Sequence, residues 1–143
     1  MANMTVSYKR DGDVHTYDLG PGSLSQIVID NSNVPAEARG GTAKQLLGAS
    51  VLACYTAALA GALDARGAKY SDLTAKAILT VGGNELGQGR VKKIDIEARV
   101  TLSEEDQEIF ERCAKIMKQG CLVTGSLHDG IEIGYDLQPE YTD

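Results

Sequence analysis

The chain reads as an α+β protein with antiparallel sheets and a buried central helix, in the order β-β-β-α-β-β-α-β. Three observations carry that reading. Ile94, Ile96, Ala98, Val100 and Leu102 alternate with Lys93, Asp95, Glu97, Arg99 and Thr101, the period of a strand with one buried and one wet face. The segment from about Thr42 to about Arg66 is apolar nearly all round and closes on Gly67, as a centrally packed helix would. Ile109, Phe110, Cys113, Ile116 and Met117 recur at helical spacing ahead of Gly120, which marks a second, amphipathic helix. No repeat, linker or shift in composition divides the 143 residues, so a single domain over 1–143 is expected.

The elements follow in chain order. Met4, Val6 and Tyr8 alternate with Thr5, Ser7 and Lys9, Asp11-Gly12 marks a tight turn, and Val14 to Leu19 returns as the second arm of a hairpin. Gly20-Pro21-Gly22 breaks the chain before a third strand at Gln26 to Asp30, and Asn31 to Gly41 is loop by composition. Thr42 suits the N-cap of the long helix. Read four residues apart, that helix has a bulky stripe (Leu47, Val51, Tyr55, Leu59, Leu63) and two small ones: Ser50, Cys54, Ala58, Ala62 and, beside it, Ala49, Ala53, Ala57, Gly61. The bulky stripe suits a sheet. The small stripes let another helix backbone approach closely, and a partner subunit is the natural source of one. Thr74 to Val81 and Val91 to Leu102 form a hairpin across GGNELGQG. Ser103 with Asp106 resembles a capping box, and Glu104 and Glu105 suit a helix start. Cys121 opens a short helical piece, CLVTGSL. After the Asp129-Gly130 turn, Ile131, Ile133, Tyr135 and Leu137 alternate as a last strand.

Composition narrows the function. Twenty acidic residues against fourteen Lys and Arg leave a net charge of −6 and a pI near 4.9. That balance argues against nucleic acid, whose phosphates call for a basic surface, and against a polybasic membrane-surface module. Leu46 to Leu63 is an uncharged run of membrane-spanning length, but its Ala, Gly, Ser50 and Thr56 weaken its hydrophobicity, and the reading is a core helix and no membrane. Cys54, Cys113 and Cys121 form no CxxC, and with only His15 and His128 there is no four-ligand zinc pattern, so no metal is expected. The N-terminus has no apolar stretch of the signal-peptide kind. The expectation is a reducing cytoplasm, where a cysteine pair is more often chemical than structural.

Cys121 follows Gly120 at the start of a helical segment, where free N–H groups and the helix dipole would favour a thiolate; a capping or plainly buried residue is the equal alternative. Cys54 lies on a small stripe and Cys113 on an apolar face, positions where cysteine often serves as core. His128-Asp129, in a turn before a strand, reads as a solvated pair rather than a catalytic dyad. GGNELGQG has no following helix to hold a phosphate and reads as a hairpin loop.

Two stretches, QLLGASVLACY (Gln45 to Tyr55) and CLVTGSLHDGIEI (Cys121 to Ile133), resemble the family of osmotically inducible and organic hydroperoxide resistance proteins, OsmC/Ohr. The first is similar to the family's central-helix motif that carries its first cysteine. The second is similar to the C-P-V-S motif before a glycine turn and a final strand. The resemblance implies the OsmC-like fold, an intertwined homodimer with sites at its interface, and a cysteine-based hydroperoxide reductase for oxidative stress defence. Cys54 would attack the peroxide and Cys121 would resolve the product to a disulfide. It further implies an external dithiol or lipoyl-type reductant and no bound cofactor. The family's thiolate-stabilising Arg falls on Arg10 in the hairpin, with Arg39 as a weaker substitute.

Two positions depart from the family. Where the peroxidase branch has Glu, ten residues before the first cysteine, this chain has Lys44, a cation that cannot pair with Arg10 and is instead a candidate to lower the Cys54 pKa. Gln45 beside it is neutral and polar. Leu122 replaces the proline after Cys121. A divergent OsmC-like branch is therefore expected, with Lys44, Gln45 and Arg39 as candidate pocket residues. The alternative function is a non-catalytic OsmC-like protein that binds a small apolar ligand or partner at the dimer cleft.

Overall fold

Strands β1 (Ser7–Asp11), β2 (Val14–Asp18) and β3 (Gln26–Asp30) form an antiparallel meander in the computed structural model, which describes residues 1–142. Asp11 pairs with Val14, so Gly12, at φ +56°, takes the first central position of the two-residue turn, where a type II′ hairpin needs glycine. Ser7 pairs with Asp18. Pairing ends there because the chain turns away at Gly20, and Met4 and Val6, read as strand from their alternation, precede β1. Arg39 ties the loop after β3 to this unit: its guanidinium donates to Val34 O and Asn31 O (both 2.8 Å) and lies 3.5 Å from Asp13. This N-terminal unit, Met1–Gly41, is one of two compact units in the chain.

The second unit begins with α1 (Thr42–Ala65), followed by β4 (Tyr70–Gly83), β5 (Gly89–Leu102), α2 (Gln107–Met117) and α3 (Leu122–Asp129). Gly67 ends α1 as expected. It sits at φ +72°, Ala68 N–H reaches Leu63 O and Gly67 N–H reaches Asp64 O, each 3.1 Å, which is the paired bonding of a glycine-terminated helix. The β4–β5 ladder is longer than the expected hairpin, running from Tyr70↔Leu102 to Gly83↔Gly89. Asn84 closes its tip by accepting the N–H groups of Leu86 and Gln88.

Large α1 side chains build the core. Leu59 and Leu63 cluster with Cys113 and Met117 of α2, and Tyr55, Tyr70, Leu73, Ala98, Val100, Leu102 and Ile109 pack around them. Leu63, Val51 and Cys113 have no solvent exposure at all. The uncharged run that is long and apolar enough to cross a membrane is thus the helix on which this unit is assembled. Its opposite stripe, Ala49, Ala53, Ala57 and Gly61, is exposed, so the helix expected to be buried all round is covered on one side only within the chain.

Two expectations are corrected. Ser103 and Asp106 do not form a capping box: Ser103 Oγ accepts Glu105 N–H (3.3 Å), while Asp106 Oδ2 accepts Lys69 N–H (3.0 Å) at the start of β4. The carboxylate serves an N–H remote in sequence that local pattern does not reveal. The final strand of the β-β-β-α-β-β-α-β order is also absent, since residues 130–142 have no regular structure. Ile131, Ile133, Tyr135 and Leu137 are 57–96% exposed. A strand needs a ladder partner for its N–H and C=O groups, and this segment finds none among the described residues.

Candidate active site

Packing of α3 against α1 brings together two of the three cysteines. Cys54 lies midway along α1, half-buried, and its sulfur accepts the Val123 N–H of α3 at 3.4 Å. Cys121 is the N-cap of α3, with extended backbone at φ −109° and ψ −177°. Gly120 before it has φ +81°, a left-handed turn that glycine takes without strain and that swings the chain from α2 into α3.

Cys121 and Thr124 cap the helix reciprocally. The Cys121 N–H donates to Thr124 Oγ1 (2.9 Å), and the thiol faces the Thr124 N–H in return. Thr124 Oγ1 also lies 3.3 Å from Cys121 Sγ. Gly125 N–H to Cys121 O, at 2.8 Å, closes the first turn. The N-terminus of α3 therefore presents successive N–H groups to two sulfurs, Val123 to Cys54 and Thr124 to Cys121.

Electrostatics follow from this geometry. Burial pushes the Cys121 pKa up, but hydrogen bonds from the Cys54 thiol, the Thr124 hydroxyl and the backbone N–H groups of Thr124 and Val123 outweigh it, and the net shift is downward from the ordinary value of 9.0. Each of these donors favours the charged sulfur, and the helix dipole acts in the same sense. Cys54 and Cys121 are both free thiols, and both sulfurs face the first turn of α3.

The other candidate residues lie on other elements. Cys113 is fully buried in the core between α2 and α1. Arg10 is exposed on β1, where its Nε donates to Gly12 O (2.9 Å) within the hairpin, and Arg39 is the clamp already described. Both belong to the N-terminal unit. Lys44 and Gln45 are exposed in the first turn of α1. Ten residues of continuous helix separate Lys44 from Cys54, about 15 Å along the axis, beyond a lysine's reach. His128 and Asp129 lie 3.4 Å apart and almost fully exposed, a solvated pair. Among the described residues no cluster of three or more His, Cys, Asp or Glu is placed to hold a metal.

Sequence reasoning missed Thr124. The available signal was its place three residues after an N-cap cysteine, the spacing of a capping box with a hydroxyl in place of the usual carboxylate or amide. An open cavity of about 700 Å³ also approaches the site. Leu47, Val51 and Tyr55 of α1 and Ile94 and Ile96 of β5 line it together with Lys92, Lys93 and Lys118, and it reaches Thr124.

The family model described as OsmC-like protein matches residues 36–136. No curated protein matches the chain. Among solved structures, an OsmC-like protein of unknown function from Vibrio cholerae O1 biovar eltor is similar with a TM-score of 0.70 and 15% identity, over 88% of this chain and 94% of that one. A hypothetical protein from Aquifex aeolicus is similar at 0.60 and 15%, over 90% and 89% of the two chains. An organic hydroperoxide resistance protein from Elizabethkingia anophelis, solved with thiocyanate bound, is similar at 0.56 and 14%, over 88% and 89%. These likenesses are of fold. With the family model matched over most of the chain, the paired sulfurs at the mouth of α3 sit on an α+β scaffold that belongs to the OsmC-like protein family.

Proposed function

We propose that this chain is a thiol-dependent peroxidase of the cytoplasm that reduces organic hydroperoxides through Cys54 and Cys121. The observation that carries the reading is the convergence of these two thiols, remote in sequence, on the first turn of one helix. Cys54 passes its proton to the neighbouring Cys121 thiolate as its sulfur attacks the peroxide oxygen distal to the organic group. The O–O bond breaks, the organic fragment takes a proton and leaves as the alcohol, and Cys54 becomes a sulfenic acid. The Cys121 thiolate then attacks that sulfur, the S–O bond breaks, and the hydroxyl takes a proton and leaves as water. The resulting disulfide is reduced by an external dithiol or lipoyl-type thiol, and no bound cofactor enters.

The test is peroxide consumption by the purified chain with an added dithiol, followed by intact mass. Stoichiometric organic hydroperoxide should remove two hydrogens and link the Cys54 and Cys121 peptides within the mixing time. Thiols that stay free would sink the reading. They would favour the second one, a non-catalytic binder of a small apolar ligand, which the open cavity beside Thr124, with Leu47, Val51, Tyr55, Ile94 and Ile96 in its wall, supports.

The working form under this reading is a homodimer. The exposed small stripe of α1 and the unpaired apolar alternation of Ile131 to Leu137 are surfaces that a second copy would cover. Deletion of residues 131–142 is expected to shift the chain from dimer toward monomer in sedimentation at micromolar concentration, by at least tenfold in dissociation constant. An unchanged dimer would show that this segment is not part of the interface.

A further inference from the structure

The hydroxyl of Thr124 has two neighbours, and their chemistry orients it. One is the Cys121 N–H, a donor, at 2.9 Å. The other is Cys121 Sγ, at 3.3 Å. Oγ1 accepts the N–H through one lone pair and keeps its own proton free, and toward a Cys121 thiolate, which carries no proton, the hydroxyl is the only donor this pair can have. The same residue supplies its backbone N–H to that sulfur. Gly120 keeps this arrangement in place from the other side: a Cβ there would stand 3.0 Å from Thr124 Oγ1 and 3.4 Å from Gly125 N.

We infer that Thr124 is a positioning residue, which fixes the Cys121 sulfur as a thiolate aimed at Cys54 and so sets the rate of disulfide closure. The inference rests on the thiol reading of this site and adds to it a residue that touches neither peroxide nor Cys54. Thr124 contributes two donors to one sulfur, the hydroxyl and its own N–H, and both lower the Cys121 pKa. In the closure step the Cys121 sulfur forms the S–S bond and Cys54 loses its hydroxyl as water. Thr124 is chemically unchanged and acts by holding the attacking sulfur charged and in line.

Two measurements on the reduced full-length chain test this. The first is the pH profile of Cys121 alkylation by iodoacetamide, read on the Cys121 peptide, which needs no peroxide activity. The second is the rate of disulfide closure after one equivalent of hydroperoxide, in competition with a sulfenic-acid trap. Thr124→Val keeps shape and removes the hydroxyl. It should move the alkylation midpoint to higher pH and slow closure about fivefold or more, because a hydrogen bond to a charged group is lost. Thr124→Ser should restore both to within about twofold. Gly120→Ala, which keeps every group of α3 and displaces Thr124, should move the midpoint in the same direction and decides the matter if the valine variant does not fold. A purely structural role would lower stability without moving the midpoint. Unmoved midpoints in both Thr124→Val and Gly120→Ala overturn the inference. A moved midpoint in a chain that leaves peroxide untouched upholds Thr124 and rejects the peroxidase reading.

Discussion

Cys54→Ser is expected to bring dithiol-dependent peroxide consumption down to the rate of the reductant alone, a loss of at least about 100-fold. A serine hydroxyl is not ionised at neutral pH and lacks the soft nucleophilicity of a thiolate toward O–O bonds. The loss should be chemical rather than structural. The serine oxygen still offers an acceptor to the Val123 N–H that now binds Cys54 Sγ, so the thermal midpoint should move little. Cys121→Ser should instead allow a single turnover, releasing one equivalent of alcohol and leaving a sulfenic acid that a dimedone-type reagent traps. Cys113→Ala, far inside the core, should retain turnover per folded molecule. Full activity in Cys54→Ser would assign the attack to another sulfur.

Leu63→Ala is expected to destabilise the chain by about 2–5 kcal/mol, measured by urea unfolding, because the deletion leaves a cavity among side chains that cannot close over it. Leu63 has no exposure and meets α2 through Cys113 and Met117. Its carbonyl also receives the Ala68 N–H that terminates α1, so a repacked backbone at this point disturbs the turn into β4. Against a typical total of about 5–15 kcal/mol, such a loss is a large share. A change below about 1 kcal/mol would mean that the core does not pivot on this residue.

Much of this was legible in the residues themselves. The two-residue alternation of Ile94 to Leu102 gave β5 its wet and buried faces, and the fourfold spacing of Leu47 to Leu63 picked out the side of α1 that packs on the core. Those patterns are local and repeat, so they survive without knowledge of the partner surface. The errors fall where partners are remote. Asp106 is recruited by Lys69 N–H, an interaction between residues far apart in sequence. Ile131 to Leu137 has a strand's alternation but no ladder neighbour among the described residues. The thiol pairing was accessible only through the family resemblance, since no spacing rule joins residues 54 and 121. Its arrangement over the first turn of α3, with Thr124 as the organising hydroxyl, became visible with the backbone in place.

The network around Cys121 has a thermodynamic consequence. Its donors bind a thiolate more strongly than a neutral disulfide sulfur, so they stabilise the dithiol state over the oxidised one. Each increment of that preference raises the reduction potential of the couple and makes the disulfide a stronger oxidant. In the proposed cycle, the same first turn of α3 that readies one sulfur for attack would also ease electron return from a modest reductant, so regeneration of the pair would be favoured by the architecture that consumes it.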